Sequence, residues 1–345
     1  MKQKEKIMKY LKEKNTATGR ELCNLLSISR QALNKHIKEL IKKGYIEKHG
    51  RTHGTKYSIA GKRSQRKQFK RAYTLKNLEE HTVFKEISMF LNLQKNLNEN
   101  VFHIVNYVVS EILNNAIEHS RSKKCNVEVI LDEYTCKFVI RDYGIGIFFS
   151  IYKKFQLKDE FSAIGELIKG KTTTMKEKHS GEGVFFSSKS GDKVIFRSHR
   201  ISLIFDNKNK DIFAEKRRFL KGTKVIFIVS RSSKRKLEDI FEKYSPEEFD
   251  YKFEKTRVMV KLFKREYISR SEAKRLLTNL NKFKEIILDF KHVKSMGQGF
   301  ADEVFRVFKI NHPHIKIKIE NLSPVLMPII EHVVDNKNKD WLTIS

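Results

Sequence analysis

Cysteine and proline are scarce in this chain of 345 residues: three cysteines (Cys23, Cys125, Cys136), four prolines and one tryptophan. An odd number of cysteines without C-x-x-C spacing supports neither a disulfide framework nor a structural zinc site. Few prolines argue against long disordered tracts. No run of eighteen apolar residues occurs, so no membrane span is expected. The opening MKQKEKIMKYLKEKN is basic but lacks the apolar stretch of a signal peptide, and the cytoplasm is the expected compartment.

Positive charge, in contrast, is abundant. The formal net charge is +30. Such an excess suits a polyanionic partner, because Lys and Arg release counterions from phosphate backbones. It also suits a Lys-rich proteome drawn from AT-rich codons. The distribution favours the first reading: residues 1–75 hold 21 basic and 5 acidic side chains.

Hydrophobic periodicity divides the chain into residues 1–60, a basic linker at 61–76, a central segment at 77–232 and a C-terminal segment at 245–340. In the first, Ile7, Tyr10 and Leu11 share a helical face. Thr18 is placed to cap a second helix, GRELCNLL, in which Cys23 reads as a core thiol. Ser29 caps a third helix, which buries Leu33, Ile37, Leu40 and Ile41 and ends at Gly44. Two short strands, YIEKHGRTHGTKYSI, follow. The order resembles the winged-helix domains of bacterial transcription regulators. That resemblance implies double-stranded DNA as partner: Arg30, Gln31, Asn34, Lys35 and Lys38 would meet a major groove, and Arg51, His53 and Lys56 on the wing would reach the backbone or minor groove. Because many such regulators dimerise on palindromic operators, the resemblance also implies a homodimer. The competing reading is a protein-interaction module.

The central segment carries the chemistry. SEILNNAIEHS, residues 110–120, lies on an expected helix with an apolar face of Val101, Ile104, Val105, Val108, Ile112 and Ala116. Glu111 and Asn115, four residues apart, project from one face, suiting water activation beside metal coordination. Two apolar strands follow, the second running into Asp142-Tyr-Gly144-Ile-Gly146. His179-Ser-Gly181-Glu-Gly183 and Gly222-Thr223 come next. The ordered set E-x-x-x-N-A, D-x-G-x-G, G-x-G and G-T resembles the GHKL superfamily, which includes type II topoisomerases, histidine kinases, mismatch-repair ATPases and anti-sigma-factor kinases. The resemblance implies a Bergerat α/β sandwich with a mixed or antiparallel sheet, binding ATP and Mg²⁺. By motif, Glu111 would be the general base and Asn115 the Mg²⁺ ligand. Asp142 would accept the adenine amino group. Gly144 and Gly146 would admit the nucleotide, Gly181 and Gly183 would offer N–H groups to phosphate, and Thr223 would support the adenine pocket. His119 reads as structural.

Gly165–Thr172 matches the P-loop pattern G-x-x-x-x-G-K-T by letter. A P-loop needs a buried strand before it and a helix after it. KDEFSAIGELI reads instead as an amphipathic helix and TTTMKEKHSGEG as a polar lid, in which Lys169 and Lys171 would touch phosphates as point charges. His81 has no long two-helix hairpin around it, which argues against a sensor histidine kinase.

The C-terminal segment alternates strand and helix: TRVMVKL, SRSEAKRLLTNL, KEIILDF, GQGFADEVFRVF, HIKIKIE and PVLMPIIEHVV. This order resembles the STAS fold of anti-sigma-factor antagonists, and most closely the STAS-like domain fused behind GHKL domains. In those antagonists a Ser or Thr in the loop before the helix corresponding to GQGFADEVFRVF accepts phosphate; here the position would fall near Gly297 or Gln298, and Ser295 lies about two residues early. The expected fold is thus α+β and multidomain. The expected function is a nucleotide-controlled DNA-binding regulator, with a serine/threonine kinase acting on a STAS-like domain and a non-catalytic nucleotide-bound adapter as alternatives. A protein partner would dock on the STAS-like domain.

Overall fold

A computed structural model describes residues 3–50, 55–60, 67–170, 182–245, 254–262, 266–267, 269–334 and 341–344. The chain divides into two compact units: residues 1–66 with 132–134, and residues 67–131 with 135–345.

In the first unit, α1 (Gln3–Lys14) buries Ile7 and Leu11. The short β1 (Ala17–Thr18) leads into α2 (Gly19–Leu26). A reciprocal cap fixes that start: the Glu21 amide donates to Thr18 Oγ1 at 3.2 Å, and the Thr18 amide donates to Glu21 Oε2 at 2.7 Å. Ser27 turns the chain at φ 52°. Ser29 caps α3 (Arg30–Lys42), accepting from the Ala32 amide at 3.2 Å. Gly44, at φ 70°, takes the left-handed turn after α3. Then β2 (Ile46–His49) and β3 (Lys56–Ile59) pair antiparallel, with β1 on the other edge of β3. The core gathers Ile7, Leu11, Leu22, Leu33, Ile37, Leu40 and Ile46. Ile41 departs from the expected stripe and is exposed, because Leu40 already closes that turn of the helix against the core.

The second unit opens with a strand inside the expected linker. β4 (Lys67–Thr74) pairs antiparallel with β5 (Lys124–Leu131) along its full length. An edge strand buries one face only, here chiefly through Phe69, so its lysines and arginines face water and read as linker. The helices α4 (Glu80–Leu91), α5 (Leu93–Asn96) and α6 (Glu99–Glu118) intervene. After β5 come β6 (Thr135–Asp142), α7 (Ile147–Lys154), α8 (Ala163–Lys169), α9 (Gly183–Ser190), β7 (Lys193–Asp206) and β8 (Asp211–Ser230). The sheet order is β4-β5-β6-β8-β7, every pair antiparallel. Val127, Val129, Phe138, Ile140, Phe196, Val225 and Phe227 point into one core with Val101, Ile104, Val105 and Val108 of α6. Period-two alternation therefore packs one sheet face on helices and gives the other face side chains that are mostly half-buried.

The remaining elements are α10 (Leu237–Tyr244), β9 (Lys255–Met259), β10 (Glu266–Tyr267), α11 (Arg270–Leu277), β11 (Glu285–Asp289), β12 (Ser295–Met296), α12 (Gln298–Ala301), a π-helical stretch (Asp302–Val307), α13 (Phe308–Asn311), β13 (Lys316–Glu320), α14 (Met327–Val333) and β14 (Leu342–Ile344). The order β14-β13-β11-β9 is wholly parallel. The strand expected over 256–262 stops at Met259 and continues as a 3₁₀ turn, Val260–Leu262. Phe185 and Phe186 of α9 pack into this second core with Val258, Ile286, Leu288 and Phe300, so the two sheets share a buried boundary.

Candidate functional site

One turn of helix brings the principal groups together. Asn98 caps α6 by accepting from the Val101 amide at 2.8 Å, and twenty residues of unbroken helix carry Glu111 and Asn115 to its last two turns. Asn115 Nδ2 donates to the Glu111 carbonyl at 2.7 Å. With its nitrogen spent on the helix, the amide presents its oxygen as the atom free to ligate.

β6 delivers Asp142 to the same place. Glu111, Asn115, Asp142, Gly146, Gly183 and Thr223 all line one cavity of about 330 Å³. Asp142 is buried, and its Oδ1 accepts from the amides of Gly144 at 2.9 Å and Thr223 at 3.2 Å. Burial raises its pKa, and those hydrogen bonds oppose the rise. Thr223 Oγ1 accepts from the Ile147 amide at 2.9 Å, tying β8 to the first turn of α7. Around this carboxylate the wall is apolar: Ile112, Ile140, Ile147, Leu167, Phe196 and Val225. A buried carboxylate acceptor among apolar side chains is chemically suited to a ligand that brings both an apolar surface and an N–H group.

Two glycines of the expected set act differently from one another. A Cβ on Gly183 would sit 1.7 Å from Glu111 Oε2, so α9 begins against the carboxylate of α6. A Cβ on Gly144 would sit 1.7 Å from the Ser120 carbonyl oxygen, and the Ile145 amide donates to that oxygen at 2.8 Å. Gly144 does not line the cavity; its bareness serves the close approach of the β6–α7 turn to the end of α6, which corrects the role expected for it. Gly146, at φ 85°, does line the cavity.

Lys169 is a second correction. It is 1% exposed, and its Nζ donates to Glu166 Oε1 at 2.8 Å and to the Thr278 carbonyl at 2.6 Å. A lysine held this way joins α8 to the C-terminal half and is not offered to a phosphate. The P-loop spelling fails on structure as well, since Gly165–Lys169 is buried helix. Lys171 and Gly181 lie outside the described residues.

Sequence reasoning missed Tyr107, Glu118, Glu182 and Phe241, which also line the cavity. Tyr107 precedes Glu111 by four residues, and that helical spacing was the available signal. Burial, with the Glu111 and Glu182 carboxylates nearby, pushes the Tyr107 hydroxyl pKa up. His119 lines the cavity too. Among the described lining residues there are four carboxylates and no lysine or arginine. No cluster of three or more His, Cys, Asp or Glu suited to a metal occurs among the described residues. A divalent cation here would rest on the Asn115 amide oxygen and on oxygens brought by a ligand and water.

In the first unit, Arg30, Gln31, Asn34, Lys35 and Lys38 are all exposed on α3, opposite Leu33, Ile37 and Leu40, and Lys56 is exposed on β3. Arg51 and His53 lie outside the described residues. Ser295 is half-buried and paired with Glu266 in a two-stranded ribbon, two residues ahead of the Gly297 cap of α12.

These geometries meet known families at both ends of the chain. Residues 2–47 match the winged helix-turn-helix DNA-binding family, and residues 272–327 match a STAS-like domain of unknown function. No curated protein matches the chain. The protein is therefore a mixed α+β multidomain chain with an N-terminal winged helix-turn-helix, consistent with a regulator, and a C-terminal STAS-like domain. No helix among the described residues is long and apolar enough to cross a membrane.

Proposed function

We propose that the chain is a DNA-binding regulator whose central cavity binds ATP with Mg²⁺ in the manner of the GHKL superfamily, and that nucleotide state controls engagement of DNA or of a protein partner. The observation that carries this reading is the convergence of Glu111, Asn115 and Asp142 on one cavity. Asp142 would accept the adenine amino group through the oxygen its backbone donors leave available. The apolar walls would hold the base, and Gly146 would give it room. Asn115 would ligate Mg²⁺, which supplies charge neutralisation and orientation to the phosphates. Glu111 would take the proton of an attacking water.

Four carboxylates and no described cation around the cavity mean that a bare triphosphate would be repelled. Entry with Mg²⁺ answers this, helped by the lysines that the sequence KTTTMKEKHSG carries at 171–181. Arg30, Gln31, Asn34, Lys35 and Lys38 would read the major groove, with Lys56 on the backbone.

ATP labelled at the γ-phosphate separates the outcomes. Free phosphate, with a rate altered by DNA, supports the regulator. Label on Ser295 or on another protein supports a serine/threonine kinase. Retention without either supports an adapter. Glu111→Ala is expected to keep nucleotide and lose turnover; turnover at the parent rate would remove Glu111 as base.

A further inference from the structure

The sheet face turned away from the helices is strongly basic. Alternation sends Lys124, Asn126, Glu128 and Ile130 of β5 to that face, because Cys125, Val127, Val129 and Leu131 fill the core. The same rule on β4, on β6, on residues 193–197 of β7 and on residues 224–230 of β8 leaves seven cations and one carboxylate, Glu128, on this part of the face; Asp206, Asp211 and Glu215 fall on the far arms of β7 and β8. Glu128 already accepts from Gln68 at 2.8 Å.

Register concentrates the charge. Arg141 of β6 pairs with Lys224 of β8, and Lys224 pairs with Arg197 of β7. Three cations thus stand side by side across three adjacent strands, with Cβ atoms ~5 Å apart, an arrangement that is repulsive when no anion is present. Lys137 and Lys193 flank the row, each paired with Ile228. Burial, then the neighbouring Arg141, Lys137 and Arg197 charges, lowers the pKa of Lys224. Arg141 Nε and Arg197 Nε are buried without a hydrogen-bond partner among the described residues. Arg197 also donates to the Arg218 carbonyl at 3.2 Å, which carries the basic row onto the bulge of β8.

We infer that this open face is a second nucleic-acid contact, in which the Arg141–Lys224–Arg197 row lies along the phosphate backbone of duplex DNA. The inference rests on the DNA-binding reading above. Duplex is favoured over single strand because the row itself has no aromatic platform: Ile130, Val139, Ile195, Ile226 and Ile228 fill the space between its cations, and the exposed Phe219 on the β8 bulge is already stacked on His199. Tyr143 at the margin is already engaged, 4.7 Å from the Arg141 guanidinium and 5.6 Å from Lys124 Nζ. A second copy of the chain is disfavoured because like faces would repel. Contacts to phosphate hold DNA without reading its sequence, so this face would add affinity and leave discrimination to α3.

The test measures duplex binding by the full chain across a salt series, for the parent, for Arg141→Gln/Arg197→Gln/Lys224→Gln, and for Arg30→Ala/Lys35→Ala. The triple variant is expected to flatten the plot of log affinity against log salt by about two to three, at roughly 0.9 per lost phosphate contact. Its affinity should fall by about tenfold to a hundredfold, equally for every duplex sequence, with a melting temperature of the free protein at or above the parent's, since the repulsion within the row is relieved. The winged-helix variant should lose discrimination between sequences and keep part of the slope. If the triple variant keeps the parent slope while the winged-helix variant loses binding, the inference is overturned and the regulator reading stands. If the parent binds no duplex at any salt, the regulator reading itself fails. Tighter binding of single strands, or of an acidic protein in place of duplex, would also overturn it.

Discussion

At the scale of single residues, the two tight glycines make opposite predictions. Gly183→Ala pushes a methyl against the end of a flexible side chain, Glu111. The chain should fold as before, with turnover lost and the urea midpoint unchanged. Gly144→Ala pushes a methyl against backbone, the Ser120 carbonyl, which cannot swing aside. That variant should lose about 1–3 kcal/mol, the usual cost of overpacking, read as a lower urea midpoint. Asp142 carries a pH signature. Its folded pKa lies above the ordinary 3.8, so just above that value the folded state holds more protons than the unfolded state and stability falls as pH rises. Asp142→Asn removes this dependence while keeping an oxygen for Gly144 and Thr223. Melting curves should show the variant at least as stable as the parent at pH 7, with the difference closing as the pH drops toward 4 and below. A variant less stable at pH 7 than at pH 4, relative to the parent, would contradict the burial argument. The positions of these residues were legible because glycines and an aspartate at fixed offsets are local features. The division of labour between Gly144 and Gly183 was not, since each depends on a neighbour distant in sequence.

At the scale of elements, α8 is where the two halves of the second unit are joined. Glu166 Oε1 bonds Lys169 Nζ, Glu166 Oε2 accepts from Asn279 Nδ2 at 2.6 Å, and Thr256 Oγ1 donates to the Lys169 carbonyl at 2.5 Å. Every residue of this helix is buried. Local periodicity read it as amphipathic, because the C-terminal half that covers its outer side lies about a hundred residues further on. Lys169→Met should therefore destabilise by about 3–5 kcal/mol by stranding Glu166, whereas Glu166→Leu/Lys169→Met together should cost far less. Urea titrations of the two variants decide the matter; equal losses would refute the buried pair as a linked unit. β4 was hidden for the reverse reason. Its polar face made a strand look like a linker, and only its ladder with β5 reveals it. The capped starts of α2 and α3 were legible, since a Thr or Ser cap is a short-range signal, and at α2 Glu21 three residues on completes it.

At the scale of the whole molecule, the chain sets a winged helix-turn-helix before a cavity-bearing sheet and a STAS-like parallel sheet. Charge of +30 was legible from composition, and its concentration in residues 1–75 pointed to the N-terminal unit. The basic face of the central sheet was not visible, because it emerges only when register sets Arg141, Lys224 and Arg197 in one row. Arg30→Ala/Lys35→Ala should abolish sequence-selective retention of DNA in a competition assay, and unaltered selectivity would move recognition away from α3. The central claim is that the cavity takes magnesium-bound adenine nucleotide. Isothermal titration calorimetry of MgATP into the full chain and into Asp142→Ala tests it most directly. The account predicts saturable binding by the parent, weakened when magnesium is chelated and lost in the variant. Equal binding by the variant, or no heat from the parent, would contradict it.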